Sequence, residues 1–224
     1  MGKYVLLSSK DWHYTIFDQL SKRKGESWVF IHKTEDFNLE TLDRINPVKI
    51  FIPHWSNIIP KSIYEKFDCV VFHMTDLPYG RGGSPLQNLI IRGHKLTKIS
   101  ALKVIEELDA GDIYLKYDLS LSGSAFEIFE RSSEIIISMI KKIIDKRIKP
   151  TPQVGEPVIF KRRKPEDGNL LTLSNLMSVY DHIRMLDAPS YPNAFIETEY
   201  LRFEFFSAAE NGNKIYANVR IIQK

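Results

Sequence analysis

Short apolar runs recur at regular intervals through the first third of the chain. Each has four or five residues rich in Val, Ile and aromatic side chains, and they occupy positions 4–7, 28–31, 48–52 and 69–72. Uninterrupted apolar runs of this length are typical of strands buried on both faces of a parallel sheet. Polar stretches between them, such as 11–22 and 61–66, are long enough for helices. The pattern therefore predicts an α/β core in which strands and helices alternate.

The second half of the chain has a different pattern. Ser124, followed three residues later by Glu127, has the spacing of a helix capping box, and an apolar helical stripe follows it. A connector rich in proline spans 150–168. A helix and three strand-like runs then form a small α+β tail. We therefore predict two parts, residues 1–150 and residues 151–224.

Polar side chains follow the predicted strands. Ser9 and Lys10 come after the first, His32 after the second, His54 after the third and His73 after the fourth. Because the carboxyl ends of parallel strands meet at one edge of a sheet, and open α/β sheets bind ligands there, we expect these residues to line a site.

A loop with little side-chain bulk follows His73. Residues 80–83 contain three glycines and Arg81, a composition that permits unusual backbone angles and close approach of a ligand. The spacing matches neither a Walker phosphate loop nor a dinucleotide fingerprint. Further on, residues 97–121 fit two patterns, a helix over 100–108 or a hairpin with its tip at 109–111.

Charge and composition exclude several classes of protein. The 224 residues carry 31 Lys and Arg against 28 Asp and Glu, a net charge of +3 that does not indicate nucleic-acid binding. The single cysteine excludes an intrachain disulfide, and no apolar run approaches the roughly 18 residues of a membrane span. These features predict a cytoplasmic protein without a nucleic-acid or membrane partner.

Five motifs, in this order along the chain, resemble formyltransferases that use N10-formyltetrahydrofolate. Residues 53–60 are similar to the family's loop around the pteridine, 73–85 to the loop after its fourth strand, and 108–113 to its Leu-Asp-Thr-Gly-Asp signature. Residues 161–167 and 191–195 resemble segments of its sugar-modifying branch.

The resemblance implies a fold for the whole chain. It is an α/β fold, with a Rossmann-like parallel-sheet formyltransferase core and a small α+β C-terminal tail. It also implies that residues 97–107 form a strand, with Asp109 at a hairpin tip beside the folate, although helix propensity alone favours a helix there.

The resemblance further implies that His73 and Asp109 are catalytic. In formyl transfer an amine attacks the formyl carbon and an oxyanion develops, so a histidine can act as base or stabilise the oxyanion as imidazolium. Asp109 would orient His73 and relay protons. The family's usual oxyanion-binding Asn is replaced by Val71, and losing one such donor costs about 2.7–4 kcal/mol. We expect His54 to substitute, ahead of Asn57 and Asn88.

The binding residues are likewise carried over from the family. The folate co-substrate would contact Trp55, Asn57, Ile58, Ile59, Glu107 and Asp109. The acceptor substrate would contact Ser9, Lys10, Thr75, Tyr79 and Arg81, where Arg81 would hold a phosphate or anchor its own loop. No metal is expected.

The choice of acceptor follows from the branch that the motifs resemble. The form of the 72–78 segment is most similar to formyltransferases of pseudaminic-acid and related carbohydrate pathways, which implies a UDP-linked 4-amino-4,6-dideoxy sugar. The alternatives are a methionyl-tRNA formyltransferase-like enzyme and a non-catalytic protein that binds folate or nucleotide, suggested by Val71. Exposed strands in the tail leave a homodimer open.

Overall fold

The computed structural model describes residues 2–224. The strands are β1 (Gly2–Ser8), β2 (Glu26–Ile31), β3 (Lys49–His54), β4 (Cys69–His73), β5 (Tyr79–Gly82), β6 (Leu96–Lys103), β7 (Ile113–Ser120), β8 (Val158–Phe160), β9 (Ala194–Glu197), β10 (Leu201–Asn211) and β11 (Lys214–Gln223). The α-helices are α1 (Tyr14–Ser21), α2 (Leu39–Ile45), α3 (Lys61–Tyr64), α4 (Pro85–Ile91), α5 (Ala125–Asp145) and α6 (Leu176–Arg184).

The central sheet confirms the predicted α/β core. Its strand order is β2-β1-β3-β4-β6-β7, and the first four strands are parallel. These four contain the predicted apolar runs, and most of their apolar side chains are buried; Leu6, Phe51 and Val70 have no accessible surface. The carboxyl ends of β1, β3 and β4 therefore meet at one edge of the sheet.

The ambiguous segment after α4 is a hairpin. β6 pairs antiparallel with β4, with His73 opposite Ser100, and β7 lies next to it in the sheet. The strand ends at Lys103 rather than at residue 107. Local propensity favours a helix here. Pairing with the buried strand β4 supplies hydrogen-bond partners for the backbone of an extended strand, and this overrides the helix preference.

The capping box predicted at the start of α5 is present. The Ser124 amide donates to the Glu127 carboxylate at 2.7 Å, and the Glu127 amide donates to the Ser124 hydroxyl at 3.3 Å. The 21 residues of this helix exceed the usual helix length. None of the helices within residues 2–224 combines the length and apolar character that crossing a bilayer requires.

The structure divides into two compact units. One comprises the chain through Gly82 together with Lys98–Leu119 and Glu130–Ile159, and the other comprises Gly83–Thr97, Ser120–Phe129 and Phe160–Lys224. The second unit contains α6 and the antiparallel sheet β11-β10-β9, whose last turn has Gly212 in the left-handed region. The division into parts at residue 150 stays a prediction.

Candidate active site

His73 and Asp109 lie together at the end of β4. The Nδ1 atom of His73 is 3.5 Å from a carboxylate oxygen of Asp109, and the two side chains are only 8% and 9% exposed. The residues are distant in sequence, and the hairpin formed by β6 and β7 brings the carboxylate to the histidine. Water is largely excluded from the pair, which strengthens any electrostatic interaction between its two groups.

The other nitrogen of the His73 ring faces a carbonyl. His73 Nε2 lies 2.7 Å from the Gly80 oxygen, which can only accept, so the proton belongs on Nε2. Nδ1 then faces the Asp109 carboxylate, which is also an acceptor. Both ring nitrogens therefore face hydrogen-bond acceptors, and Nδ1 is the nitrogen that lies next to the Asp109 carboxylate.

Asp109 is held at the hairpin tip by backbone contacts. Its φ of 55° lies in the left-handed region, which aspartate tolerates better than most residues. The Gly82 amide donates to the same carboxylate oxygen that faces His73, at 2.9 Å. Two residues on, a Cβ at Gly111 would lie 1.8 Å from the Lys103 carbonyl oxygen, so only glycine fits where the hairpin closes.

The glycine-rich loop contacts the pair directly. Leu77-Pro78 is a cis peptide, and Gly80 and Gly82 have φ of 81° and 102°. Such angles suit glycine, and they direct the Gly80 carbonyl to His73 and the Gly82 amide to Asp109. The sequence pattern indicated close backbone approach to a ligand; here the backbone approaches two candidate catalytic side chains.

Val71 and His54 lie in different surroundings. Val71 packs against the apolar cluster of Leu77, Leu102 and Ile113. Its hydrocarbon side chain has no group that can donate a hydrogen bond. The rings of Trp12 and His13 each lie 6.5 Å from that of His54, at the ends of β1 and β3. Substitution of the missing Asn by His54 stays a prediction, as does the less favoured role of Asn57.

The end of β1 forms a second polar cluster. The buried Ser8 hydroxyl lies 2.7 Å from His13 Nδ1 and accepts from the Lys10 amide, while the Ser9 amide donates to the His54 carbonyl. Burial lowers the pKa of His13 to about 3, and repulsion from His54 and Lys10 adds to the effect. Burial also lowers the pKa of Lys10. His13 was not identified from the sequence; its only signal was its proximity to Ser9 and Lys10.

The Arg81 guanidinium forms hydrogen bonds with two other side chains of this chain. It donates to Glu107 at 2.9 Å and to the side-chain oxygen of Gln153 at 2.9 and 3.2 Å. Of the two expected roles, this geometry favours loop anchoring over phosphate binding. Thr75 is fully buried, with its hydroxyl donating to the Gly80 carbonyl at 3.4 Å, and Tyr79 begins β5.

The expected folate-binding residues differ in exposure. Ile58 is 90% exposed, whereas Trp55 packs at the edge of the core with its ring 5.8 Å from that of Phe37. Asn57 donates to the Thr34 hydroxyl at 3.2 Å, and Ile59 packs against the same apolar cluster as Trp55. Their part in binding folate stays a prediction.

The fold and the paired His73 and Asp109 define the class as a formyltransferase-type α/β fold. A solved structure described as methionyl-tRNA formyltransferase from Clostridium thermocellum is 46% identical, covers 100% of both chains and superimposes with a TM-score of 0.98. Residues 165–222 match the family model "Methionyl-tRNA formyltransferase, C-terminal domain". The chain belongs to the methionyl-tRNA formyltransferase family.

Two further relatives define the extent of the likeness. The methionyl-tRNA formyltransferase of Thermodesulfovibrio yellowstonii is 30% identical over 161 residues, which cover 68% of this chain and 52% of that protein. The chain thus spans about half the length of the curated relatives it matches. HypX from Aquifex aeolicus, solved in complex with tetrahydrofolic acid, shares the fold with 20% identity and a TM-score of 0.76, covering 92% of this chain and 37% of that one.

The assignment to the sugar-modifying branch was wrong. Structures described as sugar or 4-N formyltransferases are only 14–16% identical. Of the two motifs that resemble that branch, 191–195 lies wholly within the segment that matches the methionyl-tRNA formyltransferase model, and 161–167 overlaps it at 165–167. Three expectations that depended on this assignment were therefore also wrong. They are the nucleotide-linked amino sugar as acceptor, the pseudaminic-acid or other carbohydrate pathway, and the exclusion of a nucleic-acid-linked substrate. A whole-chain charge does not report on a local contact, so +3 did not exclude such a substrate.

Proposed function

We propose that this chain transfers a formyl group from N10-formyltetrahydrofolate to the α-amine of methionyl-tRNA. The contact between His73 and Asp109 carries the proposal, because it supplies a histidine and a carboxylate for proton transfer in a largely buried site. Family membership supports the acceptor, and the tetrahydrofolic acid complex of HypX supports the donor.

The reaction forms one bond and breaks another. The methionyl nitrogen attacks the formyl carbon, the carbon–N10 bond breaks, and the proton lost by the amine passes to N10. His73 and Asp109 relay the proton between the amine and N10, with His73 Nδ1 facing the Asp109 carboxylate oxygen 3.5 Å away.

The purified chain is mixed with N10-formyltetrahydrofolate and methionyl-tRNA, and formyl-methionyl-tRNA and released tetrahydrofolate are quantified. We expect stoichiometric appearance of both products. His73→Asn should lower kcat about 10²–10⁴-fold while folate affinity, measured by calorimetry, changes little. His94→Asn, at a half-buried position between α4 and β6, serves as the control.

Two results would contradict the proposal. Folate binding without product from methionyl-tRNA would favour a non-catalytic folate-binding protein, for which the apolar side chain of Val71 is the supporting observation. An unchanged kcat in His73→Asn would remove His73 from the mechanism. Free methionine in place of methionyl-tRNA tests whether the nucleic-acid part of the substrate is needed.

A further inference from the structure

Gln153 bridges the two segments that hold the candidate catalytic pair. Its side-chain nitrogen donates to the backbone carbonyls of Asp109, at 2.8 Å, and Gly111, at 2.9 Å. Its side-chain oxygen accepts two hydrogen bonds from the guanidinium of Arg81, at 2.9 and 3.2 Å. One side chain thus joins the hairpin tip to β5.

The chemistry of these partners permits only one orientation of the Gln153 amide. Carbonyl oxygens only accept and a guanidinium only donates, so the nitrogen must face the hairpin and the oxygen must face Arg81. Both amide protons and both oxygen lone pairs are used. A half-buried amide saturated in this way is a rigid connection, since every alternative rotamer leaves hydrogen bonds unmade.

The surrounding contacts hold Gln153 in place. Two residues earlier, Thr151 exchanges two backbone hydrogen bonds with Ile113, of 2.8 and 2.9 Å, at the start of β7. On the other side, Arg81 also forms an ion pair of 2.9 Å with Glu107 in the approach to the hairpin tip. The backbone near Gln153 is therefore tied to the first residue of β7, and its side chain to the hairpin tip.

These connections end on the atoms that hold the pair. Arg81 lies between Gly80, whose carbonyl faces His73, and Gly82, whose amide donates to Asp109. A displacement of the hairpin tip relative to β5 would increase two distances. One joins the Asp109 carboxylate to the Gly82 amide, and the other joins it to His73 Nδ1. Misplacement of a reacting group by about 1 Å can cost about 10²-fold in rate.

We propose that Gln153 is a positioning residue, which keeps the Asp109 carboxylate beside His73 by tying the hairpin tip to β5. It touches neither reacting atom and acts only through the backbone of residues 109 and 111 and the side chain of Arg81. The kinetic part of its test rests on the proposed formyl transfer, whereas the structural part does not.

The kinetic test uses two substitutions. Gln153→Met keeps the size and removes all four hydrogen bonds, while Gln153→Glu keeps the acceptor for Arg81 and sets a carboxylate against two carbonyls. We expect kcat to fall about 10–100-fold in both, with KM for folate donor and methionyl-tRNA changed less than about threefold. Gln19→Met, at an exposed position on α1, is the matched control and should leave kcat unchanged.

The structural test follows the Gly82 amide by NMR, because its hydrogen bond reports the position of the Asp109 carboxylate. In Asp109→Ala that bond is lost, which defines a reference shift. We expect the Gly82 resonance of both Gln153 variants to move toward this reference, and that of Gln19→Met to stay in place.

The outcomes separate the two proposals. If the Gly82 resonance stays at its wild-type position in a folded Gln153→Met or Gln153→Glu variant, positioning by Gln153 is wrong, whatever the activity. An unchanged kcat in an active enzyme would overturn it as well. If the wild-type chain transfers no formyl group, formyl transfer fails but the Gly82 resonance still decides the role of Gln153.

Discussion

Single residues at the hairpin tip set the position of the carboxylate that faces His73. Asp109 adopts a left-handed conformation, and Gly111 follows where the chain passes against the Lys103 carbonyl. The Lys103 amide closes the turn by donating to the Asp112 carbonyl at 2.9 Å. The close approach at residue 111 leaves no space for even one methyl group, so this position has no tolerance for substitution.

Gly111→Ala should disrupt the hairpin tip, because its Cβ would overlap a backbone oxygen that cannot rotate away. We expect a drop in Tm and a loss of at least about tenfold in formyl transfer. Gly25→Ala is the control, since its Cβ meets no atom within 4 Å although φ is +82°. It should cost about 1–2 kcal/mol, because that backbone angle strains any L side chain, and leave kcat unchanged. Equal activity in the two variants would contradict the argument.

Helix ends show how local sequence defines elements. Asn38 caps α2 by accepting from the Thr41 amide at 2.9 Å, and Asn46 ends that helix in the left-handed conformation. Asn175 caps α6 in the same manner. The apolar pattern did not predict α2, although the asparagine signals at both of its ends were present in the sequence.

Ser124→Ala should destabilise the protein by about 1 kcal/mol, because the first turn of α5 loses the hydroxyl that accepts from the Glu127 amide. The free energy of unfolding from urea denaturation measures the effect. Ser138→Ala is a matched control within the same helix, where the hydroxyl only bonds back to the Glu134 carbonyl and alanine is the better helix former. A loss at Ser138 equal to that at Ser124 would remove the capping explanation.

At the scale of the whole molecule, a buried histidine links stability to pH. His13 is 2% exposed beside Ser8, and its pKa is lowered from 6.5 to about 3, mainly by burial. Between those values the unfolded chain binds a proton that the folded chain does not. Stability therefore decreases as the pH falls below about 6.5, and this contribution is exhausted near pH 3.

His13→Gln should flatten the decline of the unfolding free energy between pH 7 and pH 4, because the variant has no imidazole to protonate on unfolding. The slopes should differ by at most about 1.4 kcal/mol per pH unit, so the unfolding free energies of the two proteins should diverge by a few kcal/mol over this pH range. Chemical denaturation at several pH values measures it, with His94→Gln as control. Parallel curves for wild type and His13→Gln would show that His13 is not the source.

Local sequence signals predict the parallel core, the capped α5 and the tail strands, because apolar periodicity, capping residues and turn residues act over a few neighbours. The sequence also marked His73 and Asp109 through motifs. It did not determine the acceptor class, since the segments at 161–167 and 191–195 were assigned to the wrong branch. Whole-chain comparison over 100% of both chains made that correction.

Three features are visible only in the tertiary structure. The strand after α4 ends at Lys103 rather than at residue 107, the Arg81 guanidinium hydrogen-bonds to Gln153, and Gln153 connects the hairpin tip to β5. These features depend on groups that are far apart in the chain, such as Arg81 and Gln153, which are 72 positions apart. Hydrogen bonds over such separations have no local periodicity. Folding alone brings those donors and acceptors into contact, and they then fix where the carboxylate lies.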